Sequence, residues 1–374
     1  MLKRNALLSL VLLLSVVGCS PDIPGPTPEH LYTIVDRSVA VVEDEVAGQP
    51  IVVVGSQGRP FFSAFNRRLN GEILDLQAVQ SRFPVVMEDN YGNLWNVFGK
   101  AVQGPNAGQQ LEWVPASTGY WFMFGAMHPG IYLYGYGSDT VAVQRDTAIG
   151  WGVPTNAVQR GSDFDGIPAL DDPVFTTPNP LDSRPGEAFF YLEDEDLVVV
   201  VRVNGETKVY PHAILDWHEI INDEIGGIPI AVTYSPLTGS TKVWERDNTT
   251  FGVTGLVYNN NMLAFDRATE SYWLQWEGRA VRGSLKGTYL KQLPFLETSW
   301  GAWRLADPKP VVVSDEQPGH DNPYGNYPYG DYATNDFVSY PLLYDDQRLP
   351  SKQRVFCILF NGTPKVYPLE IFKE

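Results

Sequence analysis

The chain has 374 residues, 44% of them apolar and 13% aromatic, with 34 Gly and 29 Pro. That length suits one large or two ordinary domains, and the aromatic, Gly and Pro content favours short strands and turns over long helices. The formal charge of −17 excludes nucleic acid and anionic lipid as electrostatic partners.

Residues 1–18 hold Lys3 and Arg4, an apolar run from Ala6 to Leu14 broken by Ser9, and then Val16-Val17-Gly18-Cys19. The run is too short for a stable membrane helix and has the form of an export signal. A Cys after a small residue at the cleavage point resembles the lipobox of bacterial lipoproteins. That resemblance implies a lipid anchor on Cys19, a membrane as partner, and a place in the bacterial cell envelope, facing the periplasm or the cell surface. Loss of Lys3 and Arg4 would leave 25 basic against 44 acidic residues, a charge of −19. Cys357, within VFCILF, reads as a small core residue, and no disulfide is possible in the mature monomer.

Residues 19–30 are Pro-rich and read as an extended tether. From residue 31 onward, short apolar runs alternate with turn residues. Strands are expected at Ile51–Val54, Phe61–Phe65, Val85–Met87, Leu94–Phe98, Trp121–Phe124 and Ile131–Tyr134, with a short helix at Asp75–Arg82. Further strands are expected within Phe189–Val203 and at Ile230–Tyr234, Lys242–Trp244, Leu256–Tyr258, Met262–Phe265 and Val311–Val313.

A repeat organises these elements. At an offset of 179, Asp44–Ser56 (DEVAGQPIVVVGS) aligns with Asp223–Ser235 (DEIGGIPIAVTYS), with seven identities in thirteen. Gly99–Pro129 aligns with Gly278–Pro308 at the same offset, with nine identities in thirty-one. Between these blocks the register drifts, DNYGNLW (Asp89–Trp95) lying against DRATESYW (Asp266–Trp273). A further echo links VRVNGETKVYPHAI (Val201–Ile214) to ILFNGTPKVYPLEI (Ile358–Ile371), each an Asn-Gly hairpin ending in Tyr-Pro. The first copy has no such hairpin before it, so the C-terminal one is expected to fill that slot.

The expected fold is mainly β, a β-rich α+β protein of two tandem pseudo-repeats closed by a C-terminal hairpin. The divisions are a signal peptide (1–18), a tether (19–30), a first repeat (31–146), linker and loops (147–186), a second repeat (187–314), a Tyr/Gly/Pro-rich loop (315–352) and the hairpin (353–374). The tyrosines of the loop, Tyr324, Tyr327, Tyr329 and Tyr332, would cover a pocket, meet a protein partner or pack on themselves.

Candidate chemistry gathers in PHAILDWHEIINDEIGGIPIAVTYSPLTGST, Pro211–Thr241. Asp216 and Glu219 fit a capping box, which predicts a helix from Trp217 to about Glu224 ending at Gly226-Gly227. His212, His218 and Glu219 could together hold a divalent metal, although His-x5-His-Glu matches no standard metal signature. Ser235 and Thr238 are candidate ligand contacts or nucleophiles, without the Gly-x-Ser-x-Gly elbow. Asp266 and Arg267 form a polar pair that would line the same pocket or make a structural ion pair. His218 and Glu219 align with Val39 and Ala40, which fits a site in the second copy alone and fits equally a helix present in one copy and missing from the other.

KVYPHAILDWHEIIND, GGIPIAVTYSPLTGS, FGVTGLVYNNNMLAFDRATESYWLQW, PYGNYPYGDY and RLPSK with a later VYP resemble a bacterial envelope family known as domain of unknown function 3179. The resemblance covers about residues 189–372. It implies an exported or membrane-anchored protein, with no activity to carry over. Members typically carry Cys at the position of Ser235, where a thiolate beside histidines would suit a soft metal or redox work. Ser235 and Thr238 remove that chemistry here. The expected role is binding of a metal ion or small ligand in the second repeat. The alternatives are a metal-dependent or hydrolytic enzyme at the same residues, or a purely structural envelope protein.

Overall fold

The computed structural model describes residues 39–58, 60–178 and 191–372. The expected signal segment, Cys19 and the tether lie outside the described residues. The fold is β-rich α+β: strands arranged in several sheets, with three short α-helices among the described residues.

Two units of the same plan account for most of it. Each begins with a three-stranded meander, Ala40–Val46, Gln49–Ser56 and Phe61–Asn66 in the first, and Ile220–Ile225, Ile228–Ser235 and Ser240–Glu245 in the second. A four-stranded meander follows: Leu76–Ala78, Val85–Asp89, Leu94–Asn96 and Ala101–Gln103, matched by Phe251–Tyr258, Asn261–Asp266, Tyr272–Leu274 and Arg279–Arg282. Each unit then runs through a strand into a buried helix. Ala116–Tyr120 leads to α1 (Trp121–Met127), and Phe295–Ser299 leads to a helix at Trp300–Ala306, offset from the first by the repeat distance of 179. Asp89 and Asp266 receive the indole Nε1–H of Trp95 (3.0 Å) and Trp273 (2.9 Å). Part of the register drift seen in the sequence lies here, where the second unit has one more turn residue between its Asp and its Trp than the first.

Each unit completes its platform with a hairpin that is not part of its own repeat. Leu197–Val203 and Glu206–Pro211 sit between Phe295–Ser299 and Val312–Val313. Arg354–Phe360 and Thr363–Pro368 sit between Ala116–Tyr120 and Tyr132–Leu133 with the same pattern of antiparallel and parallel pairings. Both hairpins turn on Asn-Gly with positive φ at both residues (Asn204 49°, Gly205 87°; Asn361 49°, Gly362 73°), the type I′ geometry that a two-residue connection requires. Each is fastened to its unit by the same clamp. Tyr210 Oη (2.7 Å) and Lys208 Nζ (2.9 Å) donate to Asp223, and Tyr367 Oη (2.8 Å) and Lys365 Nζ (2.6 Å) approach Asp44.

The units also share a sheet, because Phe61 of the first pairs with Thr298 of the second. One core cluster accordingly spans both, from Val52, Phe65 and Trp95 to Val198, Leu296 and Trp300.

Three sequence expectations are corrected. Residues 121–124 are helical, not a strand: all of Trp121–Ala126 is buried, and an apolar run buried on every side carries no periodicity to separate the two. Asp75–Arg82 forms no helix; it contributes the strand Leu76–Ala78. The helix expected at 217–224 is instead α2, His212–His218, followed by the strand Ile220–Ile225. Gly226-Gly227 is a hairpin turn rather than a helix cap, and pairing with Ile228–Ser235 outweighs the local capping signature.

The segment 147–178 does more than link. Its short strands Val158–Arg160, Leu170–Asp171 and Phe175–Thr176 pair with three different strands of the second unit's region. The loop 315–352 holds no helix or strand, as its Gly, Pro and Asn content leads one to expect.

Candidate functional site

The helix α2 carries the candidate residues. It leaves the hairpin Leu197–Pro211 at its last residue, without a side-chain cap, and ends at Glu219, whose φ of 56° is left-handed. A non-glycine residue in that region costs about 1–2 kcal/mol, and such residues concentrate at functional positions.

His212 opens the helix, its ring 4.3 Å from that of Tyr234, its Nε2 3.3 Å from Glu297 Oε2. Glu297 is a buried carboxylate that joins several segments. Oε1 accepts from Thr118 Oγ1 (2.5 Å) and Arg354 Nη2 (2.6 Å), and Oε2 from Thr241 Oγ1 (3.1 Å). Burial alone would raise its pKa, but Arg354, His212 and Thr118 more than offset that and hold it down at about 2. A cavity of about 30 Å³ beside Glu297 and Arg354, walled by Phe62, Leu197 and Leu369, has room for one or two waters and no larger guest.

One turn on from His212, Asp216 presents a different picture. Its Oδ1 is buried without a hydrogen-bond partner. Burial raises its pKa well above the usual carboxylate range, and Asp196 and Glu219 raise it further. The negative charge of Asp216 in turn raises the hydroxyls of Tyr234, Tyr327 and Tyr329, so these groups share one neighbourhood.

His218 ends the helix. Its Nδ1 lies 2.7 Å from the carbonyl of Pro168 and its Nε2 2.6 Å from Tyr324 Oη. A carbonyl only accepts, so Nδ1 carries the proton and Nε2 accepts from the tyrosine. Burial lowers the His218 pKa, the neighbouring His320 adds to this, and the Pro168 carbonyl opposes it. Glu219 Oε1 accepts from Tyr329 Oη at 2.6 Å. Burial pushes its carboxyl up to about 7, against the smaller, opposite pull of that hydrogen bond.

The tyrosine loop lies over this helix. Besides Tyr324 and Tyr329, Trp217 Nε1 donates to Asn326 O (3.0 Å), and Tyr332 Oη donates to Leu237 O (2.9 Å). Tyr327 and Tyr329 pack with ring centroids 5.5 Å apart. Tyr324, Tyr327 and Tyr329 are half-buried, so the loop covers the helix end without sealing it.

The other candidates fall elsewhere. Ser235 Oγ accepts from the amide of Met262 (3.2 Å) and is 2% exposed. Thr238 belongs to a buried network with Ser240 and Asn261. Their turn ends at Gly239, whose φ is +58° and where a Cβ would come within 3.3 Å of the Tyr120 ring and the Arg354 guanidinium. Asp266 caps its own turn, accepting from Thr269 N (2.6 Å), the job Asp89 does in the first unit for Tyr91 N and Asn93 N. Arg267 is partly exposed and reaches Asp165 (3.5 Å) and Asp171 (3.4 Å). The pocket expected to unite Asp266 and Arg267 with the histidines is therefore not formed, because both serve a turn at the edge of the second meander.

His212, His218 and Glu219 do not share a centre either. They face Glu297, Pro168 with Tyr324, and Tyr329 respectively, and among the described residues no three His, Cys, Asp or Glu side chains gather as a metal requires. Ser235 and His218 have separate partners, so the nucleophile–base contact of a hydrolase is also not made.

A family described as "Protein of unknown function (DUF3179)" matches residues 29–131 and 164–374. The chain belongs to the DUF3179 family. No curated protein and no solved structure matches it. The α2 segment, the Ser235 turn, the tyrosine loop and the C-terminal hairpin of this DUF3179 protein all fall within the match.

Sequence reasoning missed Glu297, Arg354 and Lys242. Glu297 left a trace: it is the acidic residue in the apolar stretch PFLETSW, and it aligns with Thr118. Lys242 is fully buried, its Nζ 3.8 Å from the Trp276 ring centroid and 3.3 Å from Gln292 Oε1. Burial lowers its pKa to about 7.

Proposed function

We propose that this DUF3179 protein is a lipid-anchored protein of the bacterial cell envelope that binds a small ligand in its second unit, at Asp216 and Glu219 beneath the tyrosine loop. One observation carries the binding reading: Asp216 Oδ1 is buried with no donor. An unsatisfied buried polar atom costs about 1–3 kcal/mol, more if charged, and a group kept at that cost inside a half-covered cluster is what a binding site presents. The part-exposure of Asp216, Tyr327 and Tyr329 supports it, since a ligand has a way in. The anchor rests on the signal pattern ending at Cys19.

The test is a melting-temperature screen of the purified protein against cationic, neutral and anionic small molecules, repeated on Asp216→Asn. A compound that raises the melting temperature of the native protein and not of the variant supports the reading. Shifts that are the same in both proteins, or no shifts at all, overturn it. For the anchor, Cys19→Ala should move the protein from the membrane fraction to the soluble fraction; retention in the membrane would count against it.

A second reading, a purely structural closure, draws on His218, both of whose ring nitrogens are engaged. It expects Tyr324→Phe to lower stability and the screen to yield nothing.

A further inference from the structure

Resting on the binding site just described, the inference concerns the chemistry of its ligand. The helix end carries two carboxyls, Asp216 and Glu219, with Asp196 close enough to act on the first. Both charged groups that act on Asp216 are acidic. Arg354, which acts on Tyr234, is committed to Glu297 and Thr118, and Lys352, over the Tyr332 ring, to the Tyr332 carbonyl and Asn335. A cation would therefore meet no basic competitor among the charged groups acting on Asp216, and its binding would displace the proton that burial and the acidic neighbours favour there.

Its other walls are aromatic. Tyr329 is fixed to Glu219 by its hydroxyl, Tyr327 packs on Tyr329, and the Tyr234 ring lies against His212 one turn from Asp216. Aromatic faces around a carboxylate attract an ammonium group through the ring quadrupole, by about 0.5–2 kcal/mol per ring. They offer little to an anion. A metal ion would need several oxygen or nitrogen ligands converging on it, and among the described residues no such group of three exists. The chain's net negative charge draws cations toward the surface.

We propose that the ligand is an organic cation, a primary or quaternary ammonium, held by the Asp216 carboxylate beside Glu219 and enclosed by Tyr234, Tyr327 and Tyr329. The free Oδ1 of Asp216 accepts the N–H of a primary ammonium or faces the methyl groups of a quaternary one. Entry is from the loop side, where Tyr327 and Tyr329 are half-exposed.

The experiment is calorimetric titration of the purified full-length protein, at pH 8, with butylammonium and tetramethylammonium. The matched neutral probes are 1-butanol and tert-butanol, and butyrate, calcium and magnesium are titrated separately. The expected result is binding of both ammonium probes, with the alcohols at least about tenfold weaker, the scale of one charge-assisted contact. Asp216→Asn should weaken the cations by about tenfold or more while leaving the alcohols unchanged. Tyr327→Ala should weaken tetramethylammonium most. Melting of each variant, measured alongside, shows that the fold is kept. Equal binding of alcohols and cations, tighter binding of calcium or magnesium, or cation binding indifferent to Asp216→Asn would each overturn the proposal. If an alcohol or butyrate binds and Tyr327→Ala abolishes it, the ammonium assignment falls and the ligand-site reading stands. If no probe of any class binds, both fall.

Discussion

Thr118 and Glu297 are equivalent residues of the two units, 179 positions apart, and they hydrogen-bond to each other, Oγ1 to Oε1, at 2.5 Å. A contact between equivalents puts them at the seam where the two units meet. The divergence of the copies to Thr and Glu is what lets one donate and the other accept. Arg354, from the C-terminal hairpin, completes the cluster by donating to both.

Glu297 therefore joins three segments, and its removal should be costly. Glu297→Gln leaves Arg354 buried without its counter-charge, which typically costs about 3–5 kcal/mol. The pH dependence follows from its lowered pKa, about 2 in the fold against 4.5 as the ordinary value. Between these values the unfolded chain binds more protons, so the stabilisation is complete above pH 4.5 and is lost as pH falls toward 2. It amounts to about 3 kcal/mol. Urea unfolding from pH 6 to pH 2.5 should show this loss in the native protein and not in Glu297→Gln.

Lys242 acts in the opposite sense. Its pKa is lowered from 10.5 to about 7, so between these values the unfolded chain holds a proton that the folded one has released. Stability should rise with pH from 7 toward 10.5 and be lowest, for this group, below 7. Replacing the amine by an apolar chain of similar length, Lys242→Met, should stabilise the protein at pH 7 by about 1–3 kcal/mol and flatten this part of the curve. Denaturant midpoints at pH 6.5 and pH 9 measure both effects.

The two hairpin clamps invite a matched comparison. Tyr210→Phe and Tyr367→Phe each remove one hydroxyl donated to a buried or half-buried Asp, at 2.7 and 2.8 Å. Each should cost about 1.5–3 kcal/mol, the range for hydrogen bonds to charged groups. Hydrogen exchange should rise around Asp223 in the first variant and around Asp44 in the second. Deleting residues 353–374 should expose Ala40–Asn66 to exchange outright, and a truncated protein with full protection there would contradict the clamp.

The tyrosine loop should respond to pH through Glu219. Its carboxyl is raised from 4.5 to about 7, so the folded state binds more protons than the unfolded between those values. The associated stability is present below 4.5 and is lost as pH rises through 7. Hydrogen exchange of residues 322–332, corrected for intrinsic rate, should be faster at pH 8 than at pH 6. Glu219→Gln, which cannot ionise, should remove most of that difference.

Much of this architecture was legible because turns repeat more faithfully than surfaces. Asp44 and Asp223, Gly48 and Gly227, and Asn-Gly in both hairpins are residues that turns and clamps require, and they marked the repeat. Helices were harder to read. Trp121–Met127 is buried throughout and lacks a polar face, and Asp216-Trp217-His218-Glu219 imitates a helix start while forming a helix end. The candidate site was half legible: His212, His218 and Glu219 are on the right helix, but their partners come from Pro168, Glu297, Tyr324 and Tyr329, up to 110 residues away. Spacing along a chain carries no information about such partners. Asp266 and Arg267 were drawn in by polarity alone, and their neighbours are those of a turn.

The exchange of hairpins sets the order in which the chain can be completed during synthesis. The second unit has all its platform strands once residue 313 has emerged. The first unit, although made earlier, lacks its two central platform strands until residue 368. The N-terminal half must therefore wait, unfinished, until residues 354–368 are made, and a protein released before residue 354 would have its later half folded and its earlier half not.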